Sequence, residues 1–517
     1  GITNLVTPVK TAYWNHTPLL LITPQCANKT IGQGGFQEIP QMALFQDMVC
    51  YQEEVRDPSR VAEVLNRVIE KARRFSAPAQ INIPRDMFTQ VVDIELPQIV
   101  RFEHPSGGDE AIAEAAKLLS NAKFPVILNG YGVIVGNAID ASKALAERLS
   151  APVCCNYQHN DAFPGSHPLF AGPLGYNGSK AAMELISKAD VVLALGTRLN
   201  PFSTLPSYNM DYWPKNVKLI QVDINADRIG LTKPVTVGIQ GGAAPVAKRI
   251  LAALTPNAGD AGRKEREELI KKTKAQWAAE LATMDHENDD PGTTWNQRAR
   301  AKDPNLMSVR MAWREIMKVL PKNTITSSDI GNNCAIGNAY PTFEEGRKYL
   351  APGLFGPCGY GFPAIIGAKI ACPDVPVVGF AGDGAYGISM NEMTTCGREW
   401  WPPITQVIFR NYQWGAEKRN STLWFNDNFV GTEQDRDTSY AKIAEACGMK
   451  GVQVRTREEL NAALTKAIKD QMENKQTTFI EVILNQELGD PFRRDAMKKP
   501  EVVAGIKKED MRPEMNC

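Results

Sequence analysis

The sequence predicts an α/β protein made of three doubly wound parallel-sheet domains. Two observations carry that expectation. Apolar, β-branched runs of strand length, bounded by Gly and Pro, recur along the chain and are separated by segments with helical spacing; this is the order that yields parallel sheets covered on both faces. The length of 517 residues suits about three such domains.

In chain order, residues 17–24 predict a buried strand, 28–38 a Gly-rich loop, and 59–74 a helix with Val61, Val64, Leu65, Val68 and Ile69 on one face. Residues 79–84 predict a further strand and 96–105 a linker, so the first domain is expected over 1–100. A central domain, 106–255, follows: a helix over 110–119, strands over 124–129, 190–196 and 218–223, and glycines at 130, 132 and 136. That glycine spacing misses the dinucleotide fingerprint by one residue, so a nucleotide-like fold without a required nucleotide is expected. Residues 256–304 are rich in Lys, Glu and Asp and read as a charged linker with an amphipathic helix. The last domain is expected over 305–495, with a tail over 496–517.

Composition narrows the function classes. Net charge is zero, which suggests neither nucleic acid nor an anionic membrane as partner. Ten cysteines are scattered without Cys-x-x-Cys spacing, as in a reducing compartment, and no apolar run approaches the ~20 residues that span a bilayer. The expected location is the cytoplasm.

The chemistry concentrates in the last domain. A strand predicted over 376–381 runs into Gly382-Asp383-Gly384, and a second, over 404–410, runs into Asn411. Ser389 and Glu392 have the form of a capping box, which predicts a helix from Met390 to about Trp400 between the strands. In such a crossover both strands run parallel, so Asp383 and Asn411 emerge at one sheet edge, where open α/β sheets bind ligands. One carboxylate and one amide oxygen suit a hard cation such as Mg2+, and the flanking glycines let backbone N–H groups approach a phosphate. Alone, the tripeptide is also an ordinary turn; the strands around it tip the reading toward a diphosphate site.

Gly382-Asp383-Gly384 with Asn411 resembles the motif of thiamine-diphosphate enzymes of the acetolactate synthase and pyruvate decarboxylase type. Over nearly the whole chain, with Tyr157–His167 (YQHNDAFPGSH) and Arg410–Lys418 (RNYQWGAEK) as its most distinctive runs, the sequence is most similar to the sulfoacetaldehyde acetyltransferases. The resemblance implies the thiamine-diphosphate-binding fold, with thiamine diphosphate and Mg2+ as cofactors and Asp383, Asn411 and the backbone carbonyl of Gln413 as metal ligands. It places Asn332, Asn333, Gly382, Gly384 and Ala385 at the diphosphate. The carbonyl of Gly356 would take the 4'-amino group, and Cys358 stands where a bulkier apolar residue usually supports the bent cofactor.

The implied reaction turns sulfoacetaldehyde and phosphate into acetyl phosphate and sulfite through a thiamine diphosphate adduct. His159, Lys418, Arg419 and Asn420 are the candidates to act on these anions. Each also has a plain reading: a hydrogen-bonded loop histidine, and polar residues on a solvated helix. Arg410, beside the metal ligand, is a similar candidate. A homodimer or homotetramer is implied.

The Glu that activates the cofactor in the family would precede Gly1, so the first domain is expected to be incomplete at its amino terminus. Glu38, Glu53 and Glu54 do not occupy that motif, although Phe36-Gln37-Glu38 resembles a segment near the cofactor in acetolactate synthase. The alternatives are a 2-oxo acid lyase of the same fold, such as acetolactate synthase, and a non-catalytic thiamine-diphosphate-binding protein.

Overall fold

The structure is a computed structural model that describes residues 1–98, 103–208, 210–284, 305–425 and 427–488, with the short pairs 502–503 and 506–507. It divides into two compact units, residues 1–104 with 352–357 and residues 105–351 with 358–517.

In the first unit, β1 (Leu19–Gln25), β2 (Tyr51–Glu54) and β3 (Pro78–Pro84) form a parallel sheet in the order β1-β3-β2. The central strand β3 is buried throughout. Helix Val61–Phe75 covers the sheet with Val64, Val68 and Ala72, a spacing of four that keeps them on one stripe. The three acids named above are structural: Glu38 accepts from the backbone of Gly32 and Gly35, Glu53 pairs with Arg67 at 2.8 Å, and Glu54 accepts from Asn82 at 2.7 Å. The segment 352–357 joins this unit, where Asn15 donates to the carbonyl of Pro352 at 2.9 Å.

The second unit holds two six-stranded sheets, each parallel throughout. The first runs β6-β5-β4-β7-β8-β9, with β4 (Pro125–Asn129), β5 (Val153–Cys155), β6 (Phe170–Pro173), β7 (Val191–Leu195), β8 (Lys218–Asp223) and β9 (Val237–Gln240). The glycines after β4 serve the protein's own backbone. A Cβ at Gly130 would lie 2.4 Å from the carbonyl oxygen of Gly196, and one at Gly132 would lie 2.7 Å from the Cα of Gly196. The charged segment after this sheet forms helix Arg263–Met284, which is anchored rather than free. Its buried Arg266 donates to the carbonyls of Lys123, Leu149, Ser150, Gly259 and Ala261, while Trp277 and Leu281 are buried on the same helix. The Asp285–Asp290 run and the remainder of that segment to Pro304 lie outside the described residues.

The second sheet runs β11-β10-β12-β13-β15-β14, with β10 (Ile325–Ser328), β11 (Tyr349–Leu350), β12 (Val377–Gly382), β13 (Thr405–Arg410), β14 (Lys450–Val454) and β15 (Thr478–Ile483). From β10 the chain moves outward to β11 and then returns to place β12 on the other side of β10. The loops after β10 and β12 therefore diverge, which opens a crevice at the strands' carboxyl ends. Helix Val309–Val319 places Trp313 beneath it, with ring centroids 4.7 Å from Phe380 and 5.3 Å from Phe409; its Nε1 donates to the carbonyl of Asn333 at 2.9 Å.

The expected capping box does not form. Ser389 instead donates to the carbonyl of Gly359 at 3.0 Å, and the helix starts at Asp383 with Gly382 as its N-cap, running to Ser389. Short turns Met390–Glu392 and Met393–Cys396 follow it. A helix that begins immediately at the strand end leaves its first N–H groups facing the crevice. Among the described residues no helix is long and apolar enough to cross a membrane.

Trp313→Phe keeps the ring packing and leaves the Asn333 carbonyl without its buried donor, a loss of about 1–3 kcal/mol. We expect a lower unfolding midpoint in urea, measured by fluorescence and circular dichroism, together with weaker binding at the crevice that Asn333 lines.

Candidate active site

Register brings the two key residues together. Gly382 is paired with Phe409, so the next residues, Asp383 and Arg410, lie side by side, and Asn411 follows at the same edge. Asp383 is 1% exposed. Its Oδ1 accepts from the N–H of Gly384 at 2.9 Å, and its Oδ2 accepts from the N–H of Tyr412 at 2.7 Å and from Nη1 of Arg410 at 3.3 Å. Burial outweighs the Arg410 cation and these donors, and the Asp383 carboxyl is pushed up to about 6.

Asn411 donates through Nδ2 to Oδ1 of Asn333 at 3.2 Å. That fixes its amide orientation and leaves its own Oδ1 buried and without a hydrogen-bond donor among the described residues. An unmatched buried acceptor costs about 1–3 kcal/mol, so a cation at this point would restore what folding gave up. The side chain of Gln413 turns aside, its Nε2 donating to the carbonyls of Gln486 at 3.2 Å and Glu487 at 3.4 Å. The donor set is a buried carboxylate with neutral oxygens, which fits a hard cation. Gly382 and Ala385 frame the helix start. Glycine at 384 is required by the protein itself, since a Cβ there would lie 2.7 Å from Nε2 of Gln434 and 2.8 Å from the ring of Trp414.

Asn332 spends its side chain within the protein: Nδ2 donates to the carbonyls of Gly415 at 2.9 Å and Leu488 at 3.0 Å, and Oδ1 accepts from Arg419 at 2.8 Å. Helix Gly415–Trp424 carries the basic candidates. Arg419 is buried with its guanidinium 4.8 Å from the Tyr176 ring centroid, Lys418 is buried and paired with Glu433, and Asn420 is partly exposed. Neither cation lies on a solvated helix face. Cys358 is exposed, and Gly356, with φ of 61°, belongs to the other compact unit.

His159 stacks on Tyr131, with centroids 5.5 Å apart. Crowding excludes water from its ring and the Arg198 cation lies nearby, and its pKa falls to about 4. His167 pairs with Glu147 at 3.2 Å.

Residues 112–250 match the family described as thiamine pyrophosphate enzyme, central domain, and residues 329–482 match thiamine pyrophosphate enzyme, C-terminal TPP binding domain. A relative from Roseovarius nubinhibens named sulfoacetaldehyde acetyltransferase is 74% identical, over 99% of this chain and 85% of its own. The chain belongs to the sulfoacetaldehyde acetyltransferase family. A member from Rhodobacter capsulatus is 70% identical over 99% of this chain and 87% of its own. A probable acetolactate synthase large subunit from Methanocaldococcus jannaschii is 31% identical over 90% and 78%.

Against this family background, Asp329 is a structural residue of the site that sequence reasoning missed. It ends β10's run and is fully buried; Oδ1 accepts from Gly359 at 3.1 Å and Oδ2 from Gly361 at 2.7 Å, which shapes the loop after Cys358. An acid closing a buried strand was the available signal. Glu433 and Gln434, which meet Lys418 and Gly384, lie far along the chain in a polar run and gave none. Arg410 is also relocated, because its guanidinium points to Asp383 and Glu481 and not to an open pocket.

Because His159 is held neutral when folded, the unfolded chain binds the extra proton between its ordinary pKa of 6.5 and about 4. Its contribution to stability is present above pH 6.5 and is lost as pH falls toward about 4. His159→Gln should therefore flatten the fall in melting temperature over that window, relative to the parent protein. Equal slopes in the two proteins would remove His159 as its cause.

Proposed function

We propose that the protein takes sulfoacetaldehyde and phosphate to acetyl phosphate and sulfite, using thiamine diphosphate and Mg2+. Membership of the sulfoacetaldehyde acetyltransferase family over 99% of the chain is the observation that carries this reading. The buried, unmatched oxygen of Asn411 beside the buried carboxylate of Asp383 supports the cation. In this reading Asp383, Asn411 and the backbone carbonyl of Gln413 hold Mg2+. Asn333, Gly382, Gly384 and Ala385 line the diphosphate, Cys358 flanks the ring system, and Asn332 acts at one remove by holding Arg419.

Thiamine diphosphate, when bound, supplies a nucleophilic carbon and an electron sink for cleavage of the carbon–sulfur bond. The protein's part is to gather anions. Both organic substrate and phosphate carry negative charge, and the buried cations Lys418 and Arg419, with Asn420 beside them, offer charge-assisted donors in a water-poor setting. His159, neutral at physiological pH, can hydrogen-bond a substrate without adding charge. Tyr131 fixes its ring orientation by stacking. The overall change balances: the sulfonate leaves as sulfite, its carbon gains a proton, and the former aldehyde carbon becomes the acyl carbon bonded to phosphate oxygen.

Scattered cysteines and family resemblance support a cytoplasmic homodimer or homotetramer acting in the breakdown of sulfonates. The 31% identity to the acetolactate synthase relative keeps a 2-oxo acid substrate as the second reading.

With thiamine diphosphate, Mg2+, sulfoacetaldehyde and phosphate, the intact protein should release sulfite and acetyl phosphate in equal amounts. Asp383→Asn and Asn411→Ala should each lower kcat/KM by about 100-fold or more. Release of CO2 from pyruvate without sulfite release would favour the 2-oxo acid reading. Calorimetric cofactor binding without either turnover would favour a non-catalytic protein.

A further inference from the structure

Arg410 is the last residue of β13 and is 1% exposed. While Asn411 turns to Asn333, the guanidinium of Arg410 lies behind Asp383 and divides its donors between two parts of the fold. Nη1 donates to Oδ2 of Asp383 at 3.3 Å and to Oε1 of Gln434 at 3.1 Å; Nη2 donates to the carbonyls of Asp435 at 2.5 Å and Thr438 at 3.1 Å. Nε lies 3.6 Å from Oε1 of Glu481, a carboxylate buried beneath the same segment that accepts from Ser439 at 2.8 Å. The planes of the Tyr412 and Tyr440 rings flank the guanidinium, at 4.4 Å and 5.0 Å from their centroids.

The segment that Arg410 grips forms a strap over the site. Trp414 donates to the carbonyl of Thr432 at 2.8 Å, Gln434 donates to that of Tyr412 at 2.9 Å, and Gln413 bridges Glu433, so 412–414 and 432–434 make a short antiparallel ladder. Glu433 of this strap pairs with Lys418 and accepts from Gln486 at 2.9 Å. Gln434 rests against Gly384. Because Arg410 can only donate, it also fixes which end of the Gln434 amide faces it: Oε1 is held, and Nε2 is turned to the Gly384 side.

We infer that Arg410 is a positioning residue that sets the carboxylate of Asp383 for the cation and, through the strap 432–439, ties that setting to the Lys418 pocket. The inference rests on the reading of Asp383 as a Mg2+ ligand. A lysine cannot replace it, because a single ammonium lacks the planar fork that reaches Asp383, Gln434 and two carbonyls together. Partners of this kind, standing behind a metal ligand, typically govern metal affinity by about 10-fold or more.

The test is the calorimetric Kd for Mg2+ in the intact protein with saturating thiamine diphosphate, read with amide hydrogen exchange over 433–439. Arg410→Lys and Arg410→Met should each raise the Kd about 10-fold or more and speed exchange of the strap. A merely structural Arg410 would lower the melting temperature and the fraction of competent protein while leaving the Kd of that fraction unchanged, and this result would overturn the inference. Should both variants fail to fold, Gln434→Met removes one acceptor without altering charge. A Kd raised about threefold would then support the coupling, and an unchanged Kd would overturn it. Asp383→Asn in the same titration separates the two ideas. If it leaves Mg2+ binding intact, the cation-site reading falls; if it abolishes binding while the Arg410 variants do not weaken it, only the role of Arg410 falls.

Discussion

The parallel pairing of β12 with β13 is the constraint on which the rest of the second unit depends. The Gly382–Phe409 register places a carboxylate and an amide at one edge of the sheet, although Asp383 and Asn411 are 28 positions apart in the chain. A slip of one residue would turn each side chain to the opposite face of the sheet. What resists that slip is the apolar filling of the strands: Val377, Val378, Phe380, Val407, Ile408 and Phe409 are all buried, and Trp313 wedges between the last rings. The core thus fixes the geometry of the site, and the one polar contact described above, from Trp313 Nε1 to the carbonyl of Asn333, comes from the same wedge.

The same packing buries groups that would be better solvated elsewhere. Burial of Asp383 outweighs what its donors compensate, and Asn411 is left with an oxygen that has no hydrogen-bond donor among the described residues. Such unpaid groups persist where function requires them. Their shared location suits the proposed cation, and Arg410 supplies part of the positive charge from behind. Lys418 and Arg419, both buried, are the cations proposed to face the anionic substrates. In the proposed reading the site is arranged as a cation position next to an anion pocket, with the strap 432–439 touching both.

Much of this was legible in the sequence. The strand runs at 218–223 and 404–410 were plain because buried parallel strands are continuously apolar, and the Gly-Asp-Gly and Asn pair announced the crevice because strand ends carry the chemistry in open α/β sheets. Helix boundaries were less legible. Ser389 and Glu392 looked like a cap, but Gly359 lies across from Ser389 and takes its hydroxyl, so a tertiary contact displaced the local one. The amphipathic helix expected in the charged stretch after residue 256 is present over Arg263–Met284, but the burial of Arg266 was not legible, because it is polar in sequence and interior in structure, where five carbonyls receive it. Asp329 offered only the signal of an acid closing a buried strand, and Glu433 and Gln434 offered none, since their partners are distant in sequence and no spacing rule connects them.

The most direct test of the account replaces Mg2+ with Mn2+ and reads its ligands by electron-nuclear double resonance in the intact protein with thiamine diphosphate. The account predicts a single bound Mn2+ coupled to phosphorus of the diphosphate, the ion bound more weakly in Asn411→Ala and lost in Asp383→Asn. Mn2+ bound with phosphorus coupling that persists unchanged in both variants would contradict it.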